Sequence, residues 1–172
     1  MSPTYVLTAA HCLVGRELAE NITVLIGALN CTHNGVVAPF ETPEVEFIKA
    51  ITYVAYDGFA VLSNGAAVMD IAMILLSQPS KHTPMRLDAI APFQYSPNDL
   101  SSANWARGVV AGWGRISEYG PVSQVLVNGD APVVPFERCS SFFNLKGIAG
   151  LEGVLCTQLD QGGVDACEGD SG

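Results

Sequence analysis

Basic residues are scarce: eight Lys and Arg stand against seventeen Asp and Glu, for a formal net charge of −9. A phosphate backbone needs a basic patch, and none can be assembled from so few cations, which excludes nucleic acid as a partner. Charge of either sign is sparse at 15% of residues, while hydrophobic residues make up 49%. That balance excludes a disordered chain and leaves ample material for a core. Long apolar runs are also missing. No stretch reaches the roughly eighteen consecutive apolar residues of a membrane-spanning helix, so no membrane partner is expected. No basic leader with an apolar segment and cleavage site opens the chain, so no signal peptide is visible. His33 and His82 have no partner at metal-ligand spacing, and neither C-x-x-C nor H-E-x-x-H occurs. No metal and no cofactor is expected, and both histidines read as surface residues.

What is present is turn-forming and β-forming. The 172 residues allow one domain or two small ones, and 17 glycines and 10 prolines punctuate them. Tyr5 to Ala10, Ile22 to Leu29, Val45 to Val54, Val109 to Gly114 and Ser123 to Val134 read as strands between turn-rich segments. Gly35 to Pro43 reads as a loop, and Tyr56 to Gly65 as a turn region. The apolar run after Asp70 predicts a strand buried on both faces, with the carboxylate at its entry. Ser77 to Ala103 is rich in proline and serine and reads as a connection between two halves.

The chemistry concentrates at one end. Cys167-Glu168-Gly169-Asp170-Ser171-Gly172 places a serine between glycines. Glycine opens backbone angles closed to other residues, so neighbouring N–H groups can converge beside the hydroxyl. Acyl transfer needs that arrangement, because its tetrahedral intermediate carries an oxyanion. A serine nucleophile also needs a base and a group to orient that base. Thr8-Ala9-Ala10-His11-Cys12 supplies an imidazole, and Asp70-Ile71-Ala72-Met73-Ile74-Leu75-Leu76 supplies a carboxylate. A buried carboxylate without a mate costs several kcal/mol, so Asp70 requires a hydrogen-bonded partner.

The order His11, Asp70, Ser171 is that of chymotrypsin. With T-A-A-H-C, D-I-A-x-x-x-L, G-W-G and D-A-C-x-G-D-S-G in sequence, the chain resembles the trypsin/chymotrypsin family of serine endopeptidases over nearly its whole length. The resemblance implies an all-β fold: a double six-stranded antiparallel β-barrel, incomplete here in both barrels. Residues 1–90 would form the first barrel, 91–104 a linker and 105–172 the second barrel. It implies that Ser171 is the nucleophile, His11 the general base and then acid, and Asp70 the group that orients His11. Gly169 and Ser171 would supply the oxyanion hole, and G-W-G would be scaffold. Asp165 would lie at the base of the pocket for the residue before the scissile bond. A buried carboxylate there selects Arg or Lys. Protein or peptide substrates are the implied partners, and protein protease inhibitors a second class.

The resemblance also implies a disulfide between Cys139 and Cys156, worth about 3 kcal/mol on a chain-entropy estimate. Five cysteines is an odd number. In relatives the counterparts of Cys12 and Cys167 pair with cysteines before and after this span, and Cys31 has no evident counterpart. Asn21-Ile22-Thr23 and Asn30-Cys31-Thr32 are N-glycosylation sequons, which agrees with a secreted, extracellular protein. The family's opening strands, its activation site and the segment after the nucleophile are expected to lie outside these residues. In relatives, a freed upstream N-terminus pairs with the acid that is Asp170 here. Two other readings stay open: a catalytically silent homologue that binds a partner protein, and a fragment without a function of its own.

Overall fold

The computed structural model describes residues 2–15, 19–31, 44–63, 65, 67–87, 107–134, 156–157, 162–163 and 165–171. Along these residues run β1 (Tyr5–Thr8), a 3₁₀ turn (Ala10–Cys12), a second 3₁₀ turn (Ala19–Asn21), β2 (Thr23–Ile26) and β3 (Glu46–Ala55). Then come β4 (Ala60–Val61), β5 (Ala67–Val68), β6 (Ala72–Leu76), β7 (Arg107–Gly112), β8 (Val127–Val134) and β9 (Cys156–Thr157). Among the described residues the fold is all-β. Expected positions at His33, in the loop 35–43, in the linker 91–104 and at Cys139 lie outside the described residues.

The first half is an antiparallel sheet in the order β1-β6-β3-β2, with β4 and β5 as a separate hairpin. The strand β6 is central, and its register sets Val6 beside Ile74 and Ile74 beside Tyr53. Side chains alternate across a strand, so the next row is Leu7, Met73 and Val54. The first row joins the core of Ala10, Leu13, Ile48, Ala50, Ala72, Ile74 and Leu76. The second row faces outward, with Met73 at 47% and Val54 at 63% exposure. The expected strand buried on both faces is therefore corrected: β6 alternates. An unbroken apolar run reports hydrophobicity, whereas antiparallel pairing decides which face is covered. In β3 the register shifts between Ala50 and Thr52, leaving Ile51 as a bulge residue.

Local chemistry explains where strands stop. β2 ends at Ile26, short of Leu29, because Gly27 turns the chain at φ +82°. The space a Cβ would fill at Gly27 is taken by the ring of His82. His82 is half-buried, and its Nε2 lies 2.7 Å from the Glu44 carbonyl in an exposed contact, so this surface histidine also packs into the fold. Beside it Ser80 Oγ donates to Glu46 Oε2 at 2.5 Å, and this bond is the main reason the Glu46 carboxyl lies below its ordinary range. The stretch Tyr56 to Gly65 holds more than turns, since Ala60 and Val61 pair with Val68 and Ala67.

The second half is a sheet in the order β7-β8-β9. It meets the first half through residues 29–31. Asn30 bridges Val125, the Cys31 N–H donates to Gln124 O at 2.7 Å and the Leu126 N–H donates to Leu29 O at 2.7 Å. Trp113 Nε1 also donates to Leu29 O, at 3.1 Å. Of the two sequon asparagines, Asn21 is exposed and Asn30 is half-buried at this junction. Cys156, at the start of β9, is disulfide-bonded. No described helix is long and apolar enough to cross a membrane.

Candidate active site

The first half brings His11 and Asp70 together through one register. Thr8 pairs with Ala72, so the end of β1 lies beside the start of β6. Past Thr8 the chain is extended at Ala9 (φ −80°, ψ 139°) and then closes on fully buried Ala10, whose carbonyl accepts the Leu13 and Val14 N–H groups at 3.0 and 2.9 Å. That turn presents His11. On the facing side the Ile71 N–H donates to Met69 O at 2.9 Å, a three-residue turn centred on Asp70. Met69 takes φ +50°, a left-handed conformation that costs a non-glycine residue about 1–3 kcal/mol.

Asp70 holds His11 twice. Oδ1 accepts the His11 main-chain N–H at 2.8 Å, and Oδ2 lies 2.6 Å from ring Nδ1. The side chains are 39% exposed for His11 and 24% for Asp70. Burial is the largest single influence on the Asp70 carboxyl and pushes it up. The hydrogen bonds from the His11 main chain and ring, the His11 charge and the Ala10 N–H together outweigh burial, and the carboxyl lies below its ordinary range. The grip on Nδ1 leaves Nε2 as the outward nitrogen.

Ser171 arrives from the second half. Its preceding turn is closed by the Asp170 N–H donating to Cys167 O at 3.0 Å, and by the Cys167 N–H donating to Asp170 Oδ2 at 2.8 Å. The other oxygen, Oδ1, accepts the Gly114 N–H at 2.6 Å. Gly169 has φ +100°, open to glycine but strained for other residues. Neither its N–H nor that of Ser171 donates a hydrogen bond among the described residues. A Cβ on either Gly112 or Gly114 would overlap the Asp170 carboxylate. Both glycines of G-W-G therefore make room for Asp170, which is how this motif acts as scaffold.

The thiol of Cys12 joins the two sides. Its Sγ lies 3.6 Å from His11 Nε2 and 3.8 Å from the Ser171 carbonyl oxygen. Among the described residues no hydrogen bond runs from Ser171 Oγ to His11. The role of Cys12 was not legible from its motif, which marks it only as the neighbour of His11. Nor was the left-handed turn at Met69, because no glycine flags it.

Asp165 is exposed, not buried as the pocket reading expects. Its Oδ1 accepts the Ala166 N–H at 2.8 Å. With Asp170, Gly163 and Asn128 it borders a cavity of about 170 Å³. Among the described residues no group of three His, Cys, Asp or Glu side chains could hold a metal ion.

The family model described as Trypsin matches residues 1–172. The chain is 33% identical over 171 residues to trypsin eta of Drosophila melanogaster, covering 97% of this chain and 56% of that protein. It is 31% identical over 176 residues to coagulation factor XII of Rattus norvegicus, covering 100% of this chain and 27% of that protein. It is 31% identical over 175 residues to venom serine protease Bi-VSP of Bombus ignitus, covering 100% and 45%. The chain thus spans only part of the length of the relatives it matches. Among solved structures, neuropsin, a serine protease of mouse brain, superposes with TM-score 0.74 at 18% identity, over 100% of this chain and 67% of that one. That likeness shows the fold.

Proposed function

The chain belongs to the trypsin family, and from that premise we propose that it carries the catalytic groups of a secreted serine endopeptidase acting through an acyl-enzyme. His11 Nε2 takes the proton of Ser171 Oγ as that oxygen attacks the peptide carbonyl. The N–H groups of Gly169 and Ser171 hold the oxyanion. The imidazolium then gives its proton to the leaving amine as the C–N bond breaks, and water, deprotonated in turn by His11, releases the acyl group. Asp70 fixes the tautomer and stabilises the imidazolium. The carrying observation is the double hold of Asp70 on His11, at Oδ1 and Oδ2, which leaves Nε2 to do this work.

Asp165 beside the cavity favours cleavage after Arg or Lys. Cys139 is the partner of Cys156, Asn21 and Asn30 carry glycans, and protein inhibitors compete with peptide substrates. A second reading, a silent homologue that binds a partner protein, is favoured by one observation: His11 Nε2 lies 3.6 Å from Cys12 Sγ, and among the described residues no hydrogen bond joins it to Ser171 Oγ. A fluorophosphonate probe on the chain refolded under oxidising conditions tests the proposal. Labelling that disappears in Ser171→Ala and falls in His11→Ala is the expected result. Absence of labelling in a chain whose β3 and β6 amides are protected from exchange would leave the silent reading standing.

A further inference from the structure

The turn that precedes Ser171 is held from outside by one residue, through its main chain and its side chain. Arg115 makes three bonds. Its main-chain N–H donates to Glu168 O at 2.9 Å, its Nε donates to Glu168 Oε2 at 2.7 Å and its Nη1 donates to Gly120 O at 2.6 Å. The third bond ends on a hydrogen-bonded hairpin. Residues 115–122 fold back on themselves through the Arg115–Val122 bridge, with the Ile116 N–H donating to Pro121 O and the Gly120 N–H to Ser117 O. The guanidinium thus spans the closed hairpin and the Glu168 carboxylate.

The first bond carries the argument further. The Glu168 carbonyl and the Gly169 N–H belong to one peptide unit. That unit is planar and trans, so its C=O and N–H point in opposite directions. Because Arg115 holds the Glu168 carbonyl, the Gly169 N–H must point away from Arg115. Rotation of the peptide would break the 2.9 Å bond and swing the N–H round. The ion pair of Nε with Glu168 Oε2 opposes that rotation by tethering the same residue through its side chain. Gly169 itself sits against Gly114, leaving little room for an alternative path: a Cβ there would come within 3.1 Å of Gly114 Cα.

We infer that Arg115 is a positioning residue: its guanidinium, by tethering the Glu168 carboxylate, keeps the Glu168 carbonyl on the Arg115 main-chain N–H and so maintains the direction of the Gly169 N–H. Its catalytic consequence rests on the reading of Gly169 as an oxyanion donor; its structural consequence does not. The Arg115 side chain bonds only Glu168 and Gly120 among the described residues, so its loss loosens Cys167–Ser171 and the 115–122 hairpin and leaves the first-half sheet untouched.

The test uses the full chain and reads the turn directly. The Asp170 amide, bonded to Cys167 O at 3.0 Å, reports opening of the turn by hydrogen exchange. Wild type, Arg115→Ala, Glu168→Ala and the exchanged pair Arg115→Glu/Glu168→Arg are compared, with β3 and β6 amides as internal controls. The side chains are 35% and 79% exposed, and a pair this open supports an acceleration of up to about fivefold in either single variant. The exchanged pair returns the rate toward wild type, a rescue that lost packing alone would not give. Unchanged Asp170 exchange in Arg115→Ala overturns the inference, and so does failure of the exchanged pair to restore it. Fluorophosphonate labelling, run in parallel, separates the two readings. Faster exchange in the single variants with no labelling of any form sinks the oxyanion assignment and keeps the clamp. Where wild type does label, a slower labelling rate at unchanged probe affinity is expected for Arg115→Ala.

Discussion

Asp170 and Gly114 are joined by a 2.6 Å hydrogen bond, in a space that glycine alone leaves open. The carboxylate lies where a Cβ on Gly114, or on Gly112, would stand. Either Gly114→Ala or Gly112→Ala must displace Asp170 and break the turn that leads to Ser171. Overpacking of this kind costs about 1–3 kcal/mol. Chemical denaturation should show that loss. Amide exchange at Cys167, whose N–H is bonded to Asp170 Oδ2, should rise with it. A variant as stable as wild type, with Cys167 still protected, would show that the loop yields without moving Asp170.

The hold of Asp70 on His11 has a pH signature. The folded carboxyl lies below its ordinary value of 3.8, despite the opposing push of burial, because of the bonds and charge that His11 supplies. A depressed carboxyl contributes stability that is fully present above the unfolded value. That contribution is lost as pH falls through the folded value. Wild type should therefore lose thermal stability more steeply than Asp70→Asn as pH drops from 5 to about 2.5. Parallel melting curves across that window would mean that the pairing does not stabilise the fold.

The meeting of His11 and Asp70 is legible in the sequence. His11, Asp70 and Ser171 stand in short strings whose order is itself informative, and the strands that deliver the first two are marked by β-branched and apolar runs. Other features depended on what lies across space. The outward face of β6 is apolar at Met73, so hydrophobicity could not distinguish it from the inward face. His82 fits a void made by Gly27, a relation between residues far apart in sequence. Cys12 between His11 and Ser171, and the left-handed Met69 beside Asp70, leave no compositional trace. Arg115 follows G-W-G and Glu168 fills the variable position of D-A-C-x-G-D-S-G, and only the fold shows that they meet.

The two faces of the central sheet should respond differently to truncation. Ile48 is 1% exposed and Met73 is 47% exposed, on opposite faces of the same sheet. Ile48→Ala removes buried methylenes and leaves a cavity, at a cost of about 2–5 kcal/mol. Met73→Ala should stay within about 0.5 kcal/mol, the usual range for surface changes. Urea midpoints at constant m-value read both. Equal costs at the two positions would mean that the outward row is covered in solution.

Asp165 offers the sharpest test of specificity. A carboxylate enclosed with its guest would discriminate strongly, because an uncompensated charge would then be buried. Asp165 is exposed beside its cavity, and water and salt screen it there. Its preference for Arg over an uncharged isostere of Arg should therefore be modest, up to about fivefold, on the scale of an open ion pair. It should also shrink as ionic strength rises. Asp165→Asn should remove the preference by raising KM for the cationic substrate while leaving kcat for the neutral one unchanged. A preference that survives Asp165→Asn would place the selecting charge elsewhere. One far larger than fivefold and indifferent to salt would mean that Asp165 is enclosed when substrate binds, as the sequence alone implied.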